Sequence, residues 1–263
     1  MAGFDYTYND IIESLKCIGI ERGDTLFIHS NIGFFGRLEN VKNAEDLCEG
    51  FLAALLETVG KEGTVVVPTF SYSFCHNEIY NAKTTRTSCG MLSEYIRKQE
   101  GVLRSNDPNF SIAAIGELAL YYTMNPAHES FGVGSFWQRF LEKNGKILCM
   151  NMDCGSTFVH YIEHINQVPY RYNKSFNGVY INESDEEVRD YFVHYVYDLE
   201  KPEDGPYFVR LDKKCHAEGI CKTVSLGKGT MLVMNSVQYA DYISKTLKTE
   251  PRFLTVGGDI FEK

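Results

Sequence analysis

The segment TFVHYIEHIN, residues 157–166, carries the side chains whose spacing most directly suggests chemistry. His160 and Glu163 lie three positions apart, and His164 follows one turn after His160. On a helix, positions i and i+3 share a face, so Glu163 can accept a hydrogen bond from one ring nitrogen of His160. That bond fixes the tautomer and leaves the other nitrogen as a general base, whose ordinary pKa of about 6.5 suits neutral pH.

Other interpretations of the same residues remain open. H-x-x-E-H also occurs in zinc peptidases, so His160 and His164 could hold a metal in a zinc hydrolase, although no later segment offers an obvious third ligand. Cys154, or Cys149 on the preceding strand, could pair with His160 and carry a covalent acyl group. A sugar- or nucleotide-binding protein with a decayed site is the non-enzymatic alternative.

The surroundings of this segment favour a functional site. Strand 146–151 and the loop MDCGST precede the helix predicted over 157–167, and open α/β sheets place their sites at such strand-to-helix junctions. Ser156 or Thr157 can cap that helix, and amides at its start could receive an oxyanion. Similar junctions occur at IHSNIG (28–33) and LRSNDPNFS (103–111), where an arginine could meet a phosphate.

The elements that must position these side chains alternate along the chain. Apolar periodicity predicts helices over 7–19, 43–60, 89–99, 134–145, 157–167 and 236–248, and strands over 24–30, 63–70, 110–116 and 146–151. This order predicts an α/β fold with a central, mostly parallel or mixed sheet flanked by helices. From about residue 171 strand-like segments dominate. We therefore expect one domain, 1–263, with an α/β body to about 170 and a C-terminal α+β lobe over 171–263.

Composition limits the class of protein. The chain has 263 residues and a net charge of −9, which argues against general nucleic-acid binding. The N-terminus lacks a signal-peptide pattern, and no apolar run approaches the ~20 residues that span a bilayer, so we expect a cytoplasmic protein without membrane insertion. The eight cysteines form no C-x-x-C and are interpreted as reduced thiols that pack as small apolar groups.

Taken in order, several segments resemble the aminoglycoside 3-N-acetyltransferase family. The resemblance extends over about residues 23–163 and rests on GDTLFIHSNIG, VGKEGTVVVPTFSY, GMLSEYIRKQEGVLRSNDPNFSIAAIGELA, FGVGSFWQRFLEKNGKILCMN and STFVHYIE. It implies an α/β enzyme that transfers an acyl group from acetyl-CoA or another acyl-CoA to a sugar amine. No metal is expected.

The resemblance also implies roles for individual residues. It makes His160 the general base, with Glu163 beside it and Thr157 near the reacting thioester. It places seven further residues along the coenzyme A arm or near its phosphates and adenosine end: His29, Ser30, Asn31, Thr69, Arg104, Ser105 and Ser111.

The C-terminal third suggests the acceptor. It lacks recognisable acid-rich elements that would grip polycationic aminoglycosides, and carries instead Tyr172, Phe176, Tyr180, Tyr191 and Tyr195. Aromatic side chains can stack on a nucleotide base. We therefore expect a nucleotide-linked amino sugar, specifically a dTDP-linked 3-amino-3,6-dideoxyhexose, with an aminoglycoside as the alternative. The aromatic lobe could equally form the face of a homodimer.

Overall fold

The computed structural model describes residues 3–260, so the outermost ends of the predicted domain, 1–2 and 261–263, lie outside the described residues. In this range the α-helices are α1 (Tyr8–Cys17), α2 (Ala44–Val59), α3 (Met91–Ile96), α4 (Ala119–Thr123), α5 (Phe136–Glu142), α6 (Phe158–Ile165), α7 (Val209–Ala217) and α8 (Ser236–Thr249). The β-strands are β1 (Thr25–Ser30), β2 (Thr64–Pro68), β3 (Tyr80–Asn81), β4 (Leu103–Arg104), β5 (Ile112–Gly116), β6 (Lys146–Met150), β7 (Arg171–Ile181), β8 (Glu187–Tyr197), β9 (Cys221–Leu226) and β10 (Gly229–Asn235).

A seven-stranded mixed sheet forms the centre of the molecule, in the order β4-β5-β2-β1-β6-β10-β9. The three inner strands β2, β1 and β6 are parallel, and the outer strands join them antiparallel. In the β1–β6 register His29 lies opposite Cys149. Because the two strands are parallel, the loops after their carboxyl ends meet at one edge of the sheet. The predicted mixed α/β fold is confirmed.

Alternation along the inner strands divides the core between the two faces of the sheet. Leu26 and Ile28 of β1 pack with residues of α1, α2 and α3, whereas Phe27 packs with residues of α4, α5, α6 and α8. All three side chains are fully buried. A strand covered on both faces must be apolar throughout, which explains the near-continuous apolar run of β1.

The part of the chain after residue 170 contributes to both sheets. The hairpin of β9 and β10, which turns at the glycine-rich segment 226–230, extends the central sheet next to β6. β7 and β8 form a long hairpin that joins β3 in a separate three-stranded sheet. A boundary near residue 170 thus separates strands that are hydrogen-bonded to one another, and the division into body and lobe stays a prediction.

Asparagine side chains cap two of the long helices. Asn43 caps α2 by accepting a hydrogen bond from the Asp46 amide. Ser236, however, is the first residue of α8, and the cap is Asn235, which accepts from the amides of Val237 and Gln238. Both serine and asparagine are good caps, and the end of β10 decides which of them adopts the extended conformation that a cap requires. None of the helices between residues 3 and 260 has the length and apolar character needed to cross a bilayer.

Candidate active site

α6 presents His160 and Glu163 on one face, as their spacing predicts. The two side chains meet through His160 Nδ1 and Glu163 Oε2, which lie 2.7 Å apart. Glu163 is completely buried, and the side chain of His160 is 19% exposed. The carboxylate therefore holds Nδ1 and leaves Nε2 as the nitrogen that can accept a proton.

Two residues hold the Glu163 carboxylate, one just before β7 and one at its first position. Tyr170 donates its hydroxyl to Oε1 at 2.9 Å, and the Arg171 guanidinium forms an ion pair with Oε2 at 2.7 Å. Burial alone would favour the neutral acid, but the hydrogen bond from His160, the charge of Arg171 and the hydrogen bond from Tyr170 outweigh it and lower the pKa of Glu163. The carboxylate is thus ionised at neutral pH.

The environment of His160 favours the neutral imidazole. Burial lowers its pKa, the positive charge of Arg171 lowers it further, and Glu163 opposes both without reversing them. A neutral imidazole is the protonation state that a general base needs before the reaction begins.

His160 lines a cleft of about 600 Å³ between the α6 region and the β7–β8 hairpin. The walls combine aromatic and cationic groups with two carboxylates: Tyr72, Cys75, His76, Arg171, Tyr172, Lys174, Phe176, His194, Val196, Tyr197, Asp198, Leu199, Glu200 and Pro206. A cavity of this size suits a small-molecule substrate.

The loop between β6 and α6 is fastened to the end of β1. His29 Nε2 lies 2.9 Å from the Ser156 hydroxyl and accepts the Thr157 amide at 3.4 Å. Burial lowers the pKa of His29 to about 4, so its ring is a neutral acceptor. Ser156 also accepts the Phe158 amide at 3.3 Å, while Thr157 occupies the cap position without a side-chain capping bond. His29, predicted to bind coenzyme A, and Thr157, predicted to lie near the thioester, are therefore in direct contact.

Ser30 and Asn31 continue from His29 at the same sheet edge. The Asn31 amide donates to the Met150 carbonyl at 2.9 Å, and the Asn31 carbonyl accepts from Asn151 Nδ2 at 3.1 Å. The exposed Asn31 side chain lies at the junction of the β1 and β6 loops.

The remaining predicted cofactor residues form a buried polar cluster away from the cleft walls. Arg104 donates through Nε to the hydroxyls of Thr69 and Ser111, and through its terminal nitrogens to the carbonyls of Thr69, Ala82 and Thr85. Ser105 accepts the Ile112 amide. These bonds commit the guanidinium to the protein itself, so the geometry gives no support to the predicted phosphate contact, which stays a prediction.

The other chemistries suggested by the sequence find little support in this geometry. His164 Nε2 faces Glu129 at 3.8 Å, and among the described residues neither His160 nor His164 belongs to a cluster of three side chains that could hold a metal. Cys149 and Cys154 are fully buried, and burial raises the pKa of the Cys149 thiol. Cys75 does line the cleft, but burial raises its pKa to about 11, which disfavours the thiolate that a nucleophile needs.

Sequence reasoning missed Tyr170, Arg171 and His194. The first two reach Glu163 only because the chain reverses after Pro169, and no local pattern signals that contact. His194 comes from β8 into the cleft, where burial lowers its pKa to about 3. Its position in the alternating segment DYFVHYVYDL was the available signal, since it shares a face with the buried Phe192.

Known proteins share both sequence and fold with this chain. A family model described as aminoglycoside 3-N-acetyltransferase matches residues 27–248. An aminoglycoside N(3)-acetyltransferase III of Salmonella sp. is 28% identical over 186 residues, which cover 62% of this chain and 62% of that protein. A prophage-derived aminoglycoside N(3')-acetyltransferase-like protein of Bacillus subtilis is 26% identical over 64% of this chain and 68% of its own length. The chain thus spans 62% of the length of the first curated relatives it matches.

Solved structures share the fold. The aminoglycoside acetyltransferase AAC(3)-Xa superimposes with a TM-score of 0.79 at 21% identity, covering 92% of each chain. AAC-IIIb in a binary complex with CoASH gives 0.78 at 22% identity, covering 92% of this chain and 96% of that one. AAC-VIa bound to sisomicin gives 0.79 at 18% identity, covering 93% and 98%.

These matches overturn the predicted acceptor. The family description, the curated relatives and the solved structures all name aminoglycoside acetyltransferases, so the nucleotide-linked amino sugar is wrong. Of the aromatic residues behind that prediction, Tyr172 and Tyr191 are about half exposed, and Tyr172 lines the cleft. Phe176 and Tyr180 pack against a small core of Phe74, Tyr80 and Phe192. Tyr195 is likewise buried.

Proposed function

The chain belongs to the aminoglycoside 3-N-acetyltransferase family, and we propose that it transfers an acetyl group from acetyl-CoA to an amine of an aminoglycoside. The observation that carries the proposal is the His160–Glu163 pair, with a 2.7 Å bond to a buried carboxylate and the imidazole at the wall of the cleft. This arrangement supplies what N-acyl transfer requires, a neutral base with a fixed tautomer.

Relatives support the choice of both substrates. One solved structure with this fold is a binary complex with CoASH, and another is bound to sisomicin. A net charge of −9 attracts a polycationic acceptor, and Asp198 and Glu200 supply carboxylates at the cleft where ammonium groups can pair. A long acid-rich run is not required for this, because two carboxylates at the cleft, Asp198 and Glu200, serve the same purpose.

The mechanism begins with the proton on the acceptor. A sugar ammonium has no lone pair, so His160 Nε2 removes a proton from the amine directly or through a water. The nitrogen lone pair then forms a bond to the thioester carbonyl carbon, whose oxygen becomes an oxyanion. Glu163 stabilises the imidazolium, while Tyr170 and Arg171 hold Glu163 ionised and in place. When the oxyanion collapses, the carbon–sulfur bond breaks and coenzyme A leaves as a thiolate. The nitrogen now bonded to carbon gives its extra proton to this thiolate, which yields the neutral amide and the free thiol, and the imidazolium of His160 releases the first proton to solvent.

The start of α6 is our candidate for oxyanion stabilisation. The Thr157 amide lies 3.4 Å from His29 Nε2, which is long for a hydrogen bond, so this amide can turn to an oxyanion at little cost. The Phe158 amide is engaged by Ser156. We therefore assign Thr157 to the reacting carbonyl and keep His29 as its support.

We assign the coenzyme A arm to the edge formed by His29, Ser30 and Asn31, next to the loop that holds Thr157. Thr69, Arg104, Ser105 and Ser111 are assigned to the support of this edge, since their polar groups bind one another and nearby backbone. The single-domain organisation, a cytoplasmic location and a homodimer stay predictions.

The test is turnover with identified product. Coenzyme A release should be followed with acetyl-CoA and sisomicin, and the product analysed by mass spectrometry and NMR. The proposal expects a single added acetyl group on an aminoglycoside amine, at the 3-N position. Saturating concentrations of both substrates with no release of coenzyme A above the uncatalysed rate would contradict it.

A further inference from the structure

A group of sulfur and nitrogen ligands lies outside the cleft described above. Cys154 comes from the loop after β6, His216 from the last turn of α7, and Cys221 from the first position of β9. Their ligand atoms all lie within 4.8 Å of one another, the one such group found between residues 3 and 260. Both cysteines are buried, and His216 is exposed.

The distances in this group match a tetrahedral zinc site. Zinc binds thiolate sulfur at about 2.3 Å and imidazole nitrogen at about 2.0 Å, so neighbouring ligand atoms in a tetrahedron lie roughly 3.5–4 Å apart. Cys221 Sγ is 3.4 Å from His216 Nδ1. Cys215 is buried next to His216 on α7, but its thiol does not belong to the group whose ligand atoms all lie within 4.8 Å, so it can supply the fourth ligand only by turning its side chain when the ion binds.

The second ring nitrogen of His216 faces a carboxylate. His216 Nε2 lies 3.7 Å from Asp212 Oδ1, one turn earlier on α7. The same carboxylate oxygen accepts the Cys154 amide at 2.9 Å. At 3.7 Å the two atoms are too far apart for a hydrogen bond, but a closer approach when the metal binds would fix the tautomer that presents a lone pair to the zinc, as carboxylates do around protein-bound zinc.

We propose that Cys154, His216 and Cys221 bind one structural zinc ion, with Cys215 as the fourth ligand once its side chain has turned towards the metal. Sulfur and imidazole ligands favour zinc over magnesium or calcium, which prefer oxygen. Binding releases the three thiol protons, and four protein ligands leave no open position for catalysis. This site differs from the zinc hydrolase suggested by His160 and His164, and it requires a metal that the sequence did not lead us to expect.

The ion would connect the α6 loop to the C-terminal elements. Ser156 and Thr157 follow Cys154 by two and three residues, and both contact His29. α7 and β9 come from the part of the chain after residue 170. Zinc would thus hold the position of the loop without touching substrate, and its loss should lower thermal stability.

The experiment is metal analysis of the full chain, purified under reducing conditions without a metal-affinity column or chelator. We expect about one zinc per chain. His216→Asn, at an exposed position that should still fold, should lower zinc content and Tm, whereas His76→Asn, also exposed, should leave zinc content unchanged. Cys221→Ser should likewise lower zinc content and Tm, whereas Cys48→Ser, its buried control, should leave zinc content unchanged.

Cobalt provides an independent readout. Adding one equivalent of Co²⁺ to reduced, metal-free protein should give a thiolate-to-cobalt charge-transfer band and the intense visible bands of a tetrahedral site, and Cys221→Ser should weaken both. The proposal is overturned if the reduced protein carries no zinc and shows no such bands. It is also overturned if the mass of the purified protein reveals a disulfide between two of these cysteines. Neither result depends on acetyl transfer.

Discussion

At the scale of residues, opposing charges around one imidazole set the pKa of His160. Glu163 raises the pKa of His160, whereas burial and Arg171 lower it, and the balance leaves the imidazole neutral. Arg171 in turn keeps Glu163 ionised inside the protein. Removing either partner should therefore change base strength in opposite directions.

This balance predicts opposite changes in the pH dependence of kcat/KM. Glu163→Gln removes the group that raises the pKa of His160, so the acid limb should move to lower pH and kcat should fall by up to about 10²–10⁴. Arg171→Gln removes a charge that lowers this pKa, so the acid limb should move to higher pH. Initial rates of coenzyme A release across the pH range give both limbs, with Lys245→Gln, which removes an exposed charge on α8, as the control.

Glu163→Gln leaves the buried charge of Arg171 without its partner, and Arg171→Gln does the same to Glu163. The loss of a buried partner costs about 3–5 kcal/mol. Urea unfolding must therefore establish that the assayed proteins are folded. Tyr170→Phe keeps both charges and removes one hydrogen bond to the carboxylate, so it serves as a milder variant. If Glu163→Gln and Arg171→Gln moved the acid limb in the same direction, the proposed balance would be wrong.

The His160–Glu163 contact could be predicted from the sequence because it is local to one helix. The contacts of Glu163 with Tyr170 and Arg171 could not, since they depend on where β7 begins. Arg104 shows a further limit: an arginine beside a serine suggests phosphate binding, and the sequence does not show that folding surrounds it with backbone carbonyls. A residue type and its neighbours do not reveal whether its donors remain free.

At the scale of elements, the β7–β8 hairpin forms one wall of the cleft and belongs to the small second sheet. The hairpin packs on the buried ring of Phe74, which lies directly against Gly178 of β7. A Cβ at position 178 would come within 2.4 Å of Phe74 Cδ1. Only glycine allows the strand to approach this closely.

Gly178→Ala should therefore displace the hairpin from Phe74. Overpacking of this kind costs about 1–3 kcal/mol, and because the hairpin carries Arg171 and His194, KM for the acceptor should rise. The free energy of unfolding in urea and hydrogen exchange of β7 and β8 measure the two effects. Gly33→Ala, whose Cβ would meet Met91 at an ordinary 3.5 Å, is the matched control. Equal unfolding free energies for the two variants would contradict this role of Gly178.

The helices and strands themselves were largely predictable, because apolar periodicity marks the inner strands and the faces of α1, α2 and α8. The pairing of β9 and β10 with β6 was not, since antiparallel strands added at a sheet edge leave no distinct pattern in sequence. The same limit applies to CHAEGIC, residues 215–221, where three possible ligands approach Cys154 only after β9 joins the sheet.

At the scale of the whole molecule, the folded chain keeps buried histidines neutral, and His29 and His194 have the largest pKa shifts among them. Burial lowers the pKa of His29 to about 4 and that of His194 to about 3, whereas an unfolded histidine titrates near 6.5. As pH falls below 6.5, the unfolded chain therefore takes up protons that the folded chain does not. Stability is complete above 6.5 and declines as the pH falls towards 4.

This linkage predicts acid sensitivity in a defined window. For His29, the gap between 6.5 and about 4 corresponds to about 3 kcal/mol of unfolding free energy at 1.36 kcal/mol per pH unit. Urea unfolding between pH 7.5 and 4.5 should show the decline, and His29→Asn should flatten it. The exposed His76→Asn is the control, and equal slopes for the two variants would show that buried histidines do not govern the window.

The role of His160 as the general base is tested most directly by the His160→Asn variant. Its rate of acetyl transfer from acetyl-CoA to sisomicin should be measured beside that of the unaltered protein. Asparagine preserves polarity at this position and removes the proton acceptor. If His160 is the general base, kcat/KM should fall by about 10²–10⁴ while the circular dichroism and unfolding midpoint stay close to those of the unaltered protein. A folded variant that retains full activity would show that the proton leaves by another route, and the assignment of the site would be wrong.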